Sequence, residues 1–360
     1  MSKSTPAISA VKARAVVTPM ARPVKNAFGV IDVAPMVLID VATDQGVTGR
    51  SYLLAYSKVT LKPFVHLVEE IGRDLVGKPV APFDLMKLMD AKFRLLGWQG
   101  LVGMAVSGLD MAFWDILGRA AGKPVVELLG GSARPIRCYD SYGAVEADAD
   151  EKALRRSLDQ GFRGIKIKGG DGDAANDERR VKGLRKLLGP DIALMLDFNQ
   201  SLDPAEAKRR IRRLAPYDLT WIEEPVAQEN LSGHAEVRET SDVPIQAGEN
   251  WWFPRGFAEA IAAGASDFIM PDLMKVGGIT GWLNVAGQAD AASIPMSSHI
   301  LPEASAHVLA VTPTAHWLEV LDFASAILAD PIEISDGTLR ARGPGLGLEW
   351  NEAAIAKFQV

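Results

Sequence analysis

Cysteine is nearly missing from this chain: Cys138 stands alone among 360 residues. A single thiol excludes an internal disulfide framework and suits a reducing compartment, and with no partner group nearby it reads as core packing rather than a nucleophile. An excess of basic charge is missing too. The formal net charge is −6, and the one basic run, Lys208, Arg209, Arg210, Arg212 and Arg213, has helical spacing and is expected to be a solvated helix face, so the electrostatic footprint of a nucleic-acid binder is absent. No apolar run opens the chain, because Lys12, Arg14 and Arg22 interrupt it, which leaves neither a signal-peptide core nor a membrane span there and makes the cytoplasm the expected location. The stretch Gly169-Gly170-Asp171-Gly172 lacks the lysine and hydroxyl of a phosphate-binding loop.

What is present is ordinary globular material, 48% hydrophobic and 23% charged, enough for a large barrel and a smaller domain. Short strands are predicted at Val11–Val17, Val37–Val41 and Gly49–Leu54, joined by turn residues such as Asp44-Gln45-Gly46 in an antiparallel meander. From Val59 to about Leu129 the apolar period turns helical, with Leu85, Leu88, Met89 and Phe93 on one stripe and Leu109, Met111, Ala112, Trp114 and Leu117 on another. The expected domains are an α+β capping domain over 1–130, a (β/α) barrel over 131–325, and a segment over 326–360 that packs back on the cap.

After the breakers Gly130 to Pro135, strand and helix patterns alternate, the signature of a parallel sheet. Eight strands are predicted, at Arg137–Asp140, Gly164–Lys168, Ala193–Asp197, Leu219–Glu223, Ile245–Glu249, Phe268–Asp272, Pro295–His299 and Leu318–Asp322, the number a closed barrel needs. Nearly all end in a polar or charged residue, and in a barrel those ends converge on the face that carries active sites.

Asp197, Glu223 and Glu249 fall one β/α unit apart at three successive strand ends. Three carboxylates gathered there demand protons or a cation, and an all-oxygen donor set favours Mg²⁺ over Zn²⁺. Glu224 competes with Glu223 but points to the opposite face of its strand, so Glu223 is the expected ligand. Lys166 and Lys168 share one strand face. Their mutual repulsion beside the cation is expected to lower the ammonium pKa and free one as a general base. His299 and Asp272 end neighbouring strands, where the carboxylate fixes the imidazole tautomer and raises its basicity. Glu319 is expected to stay protonated and donate to a developing enolate oxygen. Lys275, three residues past Asp272, reads as a loop or supporting residue, and Trp251-Trp252 as packing.

Taken together, Gly164-Ile165-Lys166-Ile167-Lys168, Met195-Leu196-Asp197-Phe198-Asn199-Gln200, Trp221-Ile222-Glu223-Glu224-Pro225, Gly248-Glu249-Asn250 and Ser297-Ser298-His299 resemble mandelate racemase and its subgroup of the enolase superfamily. The likeness extends to Ser107–Gly131 and to Thr312–Glu319. It implies an α/β fold, a (β/α)8-type barrel in the modified (β/α)7β form with an N-terminal α+β cap completed by the C-terminal tail. It further implies Mg²⁺ on Asp197, Glu223 and Glu249, Lys168 as base for one enantiomer and His299, paired with Asp272, for the other. Lys166, Glu319, Ser141 and Asn199 would hold the substrate's carboxylate, enolate and hydroxyl. The partner implied is a small carboxylate, and the assembly a homo-oligomer, commonly an octamer.

In the resembling proteins a cap loop near residues 23–31 and the strand pair that follows choose the substrate. Here they supply Val24, Phe28, Ile31, Leu54 and Tyr56, an apolar wall suited to an aryl or other hydrophobic group. Lys25 and Phe28 stand where mandelate racemase carries His and Val, Leu54 where it carries Phe, and Tyr142-Gly143 where it carries His-Ser. Lys25 is expected to admit an anion. The expected activity is racemisation of a mandelate-like 2-hydroxy acid. The alternatives are an acid-sugar dehydratase giving a 2-keto-3-deoxy acid and, from another class, a catalytically silent binding protein.

Overall fold

The computed structural model describes residues 5–360. Its first layer is a three-stranded antiparallel sheet in sequence order, β1 (Ile8–Asn26), β2 (Gly29–Thr43) and β3 (Thr48–Leu54). The first two strands are much longer than predicted. What was expected as a cap loop near residues 23–31 is the end of a hairpin, because Val24, Lys25 and Asn26 pair with Ile31, Val30 and Gly29 after a register shift near Pro19. Proline cannot donate to the ladder, and a bulge beside it lets the ribbon bend and continue.

Helices α1 (Leu61–Leu75), α2 (Pro82–Phe93) and α3 (Leu101–Ala121) follow. Helix α3 is the core of this domain. It is long and apolar enough to cross a membrane by length and composition alone, yet 83% of that apolar stretch is buried inside the protein. Its two buried acids act as connectors. Asp110 accepts from the backbone N and hydroxyl of Thr280, at 2.9 and 2.6 Å, and Asp115 accepts from Arg50 N and Leu346 N at 2.8 and 2.6 Å.

A short helix α4 (Val125–Leu128) leads into the barrel. Its parallel strands run β4 (Ile136–Ser141), β5 (Gly164–Lys168), β6 (Ala193–Asp197), β7 (Trp221–Glu223), β8 (Ile245–Ala247), β9 (Phe268–Ile269) and β10 (Leu318–Val320), with β10 returning to pair with β4. The intervening helices are α5 (Glu151–Asp159), α6 (Ala174–Leu188), α7 (Pro204–Leu214), α8 (Leu231–Glu239), α9 (Phe253–Ala262), α10 (Gly278–Ala291) and α11 (Pro302–Val311). The seventh staff of the barrel is not a continuous strand. Residues 295–299 close it through single parallel bridges, Met296 to Ile269 and Ala315, and His299 to Asp272. No barrel helix follows β10, which is the (β/α)7β arrangement.

The tail, with β11 (Thr338–Leu339) and α12 (Glu352–Phe358), pairs first with β4 and then reaches the first sheet. Glu352 accepts from Arg14 at 2.6 Å, Trp350 donates to Asp40 at 2.8 Å, and Val360 N donates to Ala15 O at 3.2 Å. Cys138 is fully buried, and burial pushes its thiol up to about 12, far from a reactive thiolate. The basic run on α7 is not wholly solvated: Arg210 is buried against Asp177 and Glu206, at 2.5 and 2.6 Å.

Candidate active site

Strand register assembles the site. Lys168 lies abreast of Asp197, Asp197 abreast of Glu223, and Glu223 abreast of Gln246. Ser141 lies abreast of Lys166, and Glu319 abreast of Tyr139. Glu249 sits two residues past β8, after Gly248, whose φ of +133° is one that side chains rarely adopt and whose added Cβ would stand 3.0 Å from Met270 N. The outcome is three buried carboxylates, Asp197, Glu223 and Glu249, each offering an oxygen within 4.8 Å of the others.

The two lysines lean into this triad as cations. Lys168 Nζ is bonded to Asp197, and Lys166 Nζ lies 2.5 Å from Glu223 Oε1 and 2.8 Å from Glu319 Oε1. From the other side His299 presents Nε2 to Glu249 Oε2 at 3.3 Å while Nδ1 meets Asp272 Oδ2 at 2.8 Å. The turn after His299 is tight. Ile300 and Leu301 take φ of 38° and 48°, a costly backbone for branched residues. It is held by Ile300 N donating to Glu319 Oε2 at 3.0 Å and Ser305 Oγ donating to Ile300 O at 2.8 Å.

Under the protein's own charges alone, two protonation states differ from those expected beside a bound cation. Burial alone would lower Lys166, but Glu223, Glu319, Tyr139 and Asp197 push it well above its ordinary value. Lys168 is likewise raised, burial being outweighed chiefly by Asp197. Each ammonium lies against a carboxylate, Lys168 against Asp197 and Lys166 against Glu223 and Glu319, and these attractions outweigh burial and repulsion. Glu319 is not held protonated: burial favours the acid, yet Lys166, His299 and Lys168 bring it down to about 2. Burial does lift Glu223 to about 8, and it lowers His299, which Glu249 and Asp272 then raise overall.

The charge count bears on what the site can hold. Six buried carboxyls, Asp197, Glu223, Glu224, Glu249, Asp272 and Glu319, face four buried bases, Lys166, Lys168, Lys275 and His299. Were all ten ionised, the carboxyls would exceed the bases by two charges; burial raises Glu223 to about 8 and Glu224 well above its ordinary value, and one divalent cation would supply the balance that lets both ionise. Oxygen donors alone suit Mg²⁺. Ser141 Oγ and Asn199 Oδ1 are among the buried polar atoms with no hydrogen-bond partner among the described residues. Such orphans at a strand-end mouth are what a polar ligand would satisfy. Glu224 points away, accepting from Asn250 Nδ2 at 2.7 Å, and Lys275 donates to Asn250 Oδ1 at 2.7 Å.

The cap residues divide. Leu54 and Val24 are buried, Ile31 lies at the edge, and Tyr56 sets its hydroxyl 3.5 Å from Asp272. Phe28 is 74% exposed at the hairpin tip, turned to solvent rather than walling the mouth. Lys25 does not stand free for an anion, since its ammonium lies 2.8 Å from Asp171, itself paired with Arg180. Four contributors escaped the sequence reading. Trp221 and Gln246 donate to Glu223, Asn250 bridges Glu224 and Lys275, and Arg22 docks the hairpin on Asp140 and Ser141 O. Trp221 alone had a signal, being two residues before Glu223 and so on its face.

Known proteins resemble this chain over nearly its full length. Residues 8–130 match the mandelate racemase/muconate lactonizing enzyme N-terminal domain, and residues 149–354 match the enolase C-terminal domain-like family. A crystal structure of an enolase from Bradyrhizobium, complexed with magnesium and mandelic acid, is 78% identical, covers 100% of both chains and superposes with a TM-score of 0.98. The L-talarate/galactarate dehydratase of Salmonella typhimurium is 32% identical over 79% of this chain and 73% of its own. The D-galactarolactone cycloisomerase of Agrobacterium fabrum is 30% identical over 90% and 91%.

Proposed function

Because this chain belongs to the mandelate racemase/muconate lactonizing enzyme family of the enolase superfamily, we propose that it removes the proton α to a carboxylate and racemises an aryl 2-hydroxy acid. Asp197, Glu223 and Glu249 would hold Mg²⁺, which when bound would supply positive charge to offset that developing on the substrate's carboxylate. Lys168 and His299 would be the two bases, Lys168 losing its proton once a cation on Asp197 weakens the attraction that raises its ammonium, and Asp272 would orient His299. Lys166 would pair with the substrate's carboxylate. Glu319, taking up a proton as Lys166 turns to that anion, would donate to it. Ser141 and Asn199, with their unsatisfied oxygens, would take the substrate's remaining polar groups. Val24, Ile31, Leu54 and Tyr56 line the side where the aryl group would sit.

The observation that carries this reading is that Lys168 and His299 contact different members of one carboxylate triad, Asp197 and Glu249. Proton removal on one face and return on the other inverts the carbon. The 78% identical neighbour holding magnesium and mandelic acid supports the substrate class. The family resemblance supports a homo-oligomer, with the octamer as the form that light scattering would test.

A second reading has its own support. The 32% identical Salmonella protein is an acid-sugar dehydratase, and the same constellation serves dehydration if His299 protonates a departing β-hydroxyl. Incubation with Mg²⁺ and a panel of aryl 2-hydroxy acids and sugar acids separates the two. Loss of optical rotation without a keto product supports the racemase. A 2-keto-3-deoxy acid replaces it with the dehydratase, and no turnover together with no Mg²⁺ binding leaves a silent binding protein.

A further inference from the structure

Asp197 and Glu249 accept from residues just past their own strand ends, Asn199 N at 2.7 Å and Asn250 Nδ2 at 3.3 Å, whereas Glu223 is held from within the barrel by two side chains. Trp221, two residues earlier on β7 and on the same face, donates its indole Nε1 to Glu223 Oε2 at 2.9 Å. Gln246, abreast on β8, donates Nε2 to the same oxygen at 3.2 Å. All three side chains are completely buried. The indole is locked edge-on between Tyr139 and Phe268, with ring centroids 5.5 and 6.4 Å away. One oxygen of Glu223 is thus committed to two N–H donors that belong to the barrel interior. The other, Oε1, faces the site, where Lys166 Nζ meets it at 2.5 Å.

We propose that Trp221 and Gln246 are positioning residues that set the metal preference of the site by limiting Glu223 to one free oxygen. The inference rests on the reading of Asp197, Glu223 and Glu249 as metal ligands. Turning Glu223 to present both oxygens would strand the Trp221 indole N–H and leave Gln246 Nε2 only the weak acceptor Met270 Sδ, 3.1 Å away, an arrangement that folded proteins avoid. A carboxylate restricted in this way suits Mg²⁺, which takes six ligands at short distance and keeps several waters. It disfavours Ca²⁺, which gathers six to eight oxygens at longer range and readily takes both from one carboxylate. The discrimination therefore lies beneath the ligand shell, in side chains that touch neither ion nor substrate.

The test is calorimetric titration of the full-length protein with MgCl₂ and, separately, CaCl₂, comparing the unsubstituted chain with Trp221→Phe, Gln246→Leu and the double variant. Mg²⁺ affinity is expected to fall about 10- to 100-fold, the usual effect of removing a group that orients a ligand. Ca²⁺ affinity should fall less or rise, so the Mg²⁺ over Ca²⁺ ratio shrinks about 10-fold or more. An unchanged ratio in variants with native circular dichroism overturns the inference, since general loosening of the barrel would weaken both ions alike. Should Trp221→Phe fail to fold, Gln246→Leu decides by the same ratio. Absence of Mg²⁺ binding by the unsubstituted protein removes the metal-site reading and this inference with it.

Discussion

His299 Nδ1 stands 2.8 Å from Asp272 Oδ2, which turns the opposite nitrogen, Nε2, toward Glu249 Oε2 at 3.3 Å. One bond thereby orients the ring and assigns its free nitrogen to the mouth of the barrel. Asp272→Asn keeps the shape and removes the charge. Exchange of the α-proton on the His299 face should fall about 10²-fold, within the range of a lost general base. Exchange on the Lys168 face should change little. Proton NMR of each enantiomer separately in D₂O checks this, and equal loss on both faces would count against a role confined to His299.

The site's excess of two carboxyls over bases predicts how metal and stability are linked. Unsubstituted protein should melt higher in Mg²⁺, by about 2.7 kcal/mol of added stability when the ion is at 100 times its Kd. Glu249→Gln should abolish most of that rise and, having one fewer buried negative charge, melt no lower than the unsubstituted protein in EDTA. Differential scanning fluorimetry with and without Mg²⁺ measures both effects.

Gly143 tests whether the cap hairpin must lie on the barrel. A Cβ there would stand 2.5 Å from Lys25 N and 2.9 Å from Lys25 O, while Ala144 N donates to Lys25 O at 2.7 Å and Lys168 N to Gly143 O at 3.2 Å. Gly143→Ala should lift the hairpin, raise KM about 10-fold or more, as misplaced groups in a closed site do, and leave the barrel's far-ultraviolet circular dichroism intact. Unchanged kinetics would show that the hairpin's seat is unimportant.

The same contact shows where sequence patterns stop being informative. Lys168, Asp197 and Glu223 were legible as strand ends because parallel strands in β/α units repeat at nearly constant spacing. Glu249, Asp272 and His299 were placed at the ends of strands that in fact stop earlier, or never form. Their positions depend on a φ-positive glycine, Gly248, and on isolated bridges, neither of which leaves an apolar period. Phe28 and Lys25 were misplaced for a different reason. Hydrophobicity says that Phe28 prefers burial, but the two-residue tip between Asn26 and Gly29 turns it outward, and Lys25 is neutralised by Asp171 from a loop 146 residues away in sequence. The protonation of Lys166, Lys168 and Glu319 was not legible because it depends on which opposite charges lie beside each group, which strand periodicity does not reveal.

Three histidines outside the site make an acid-sensitive contribution to stability. Burial holds His234, His307 and His316 down to about 4. Between the ordinary imidazole value of about 6.5 and that folded value, the unfolded chain binds protons that the native protein refuses, so stability is lost as pH falls. At pH 5 each costs about 2 kcal/mol relative to pH 7. Buried Asp110 and Glu303, raised to about 7, add stability as pH falls through the same interval, so the histidine contribution is read as a difference: in urea melts, His234→Leu should gain about 2 kcal/mol relative to the unsubstituted protein between pH 7 and pH 5. A pH dependence unaltered by that substitution would assign the acid sensitivity elsewhere.

The most direct test of the two-base account measures α-deuterium uptake in D₂O with Mg²⁺, starting from (R)- and (S)-mandelate in separate reactions, for His299→Asn and Lys168→Met. Each variant should fail to racemise yet still exchange the α-proton of one enantiomer, a different one for each. Equal loss of exchange from both enantiomers, in variants that remain folded and bind Mg²⁺, would contradict it.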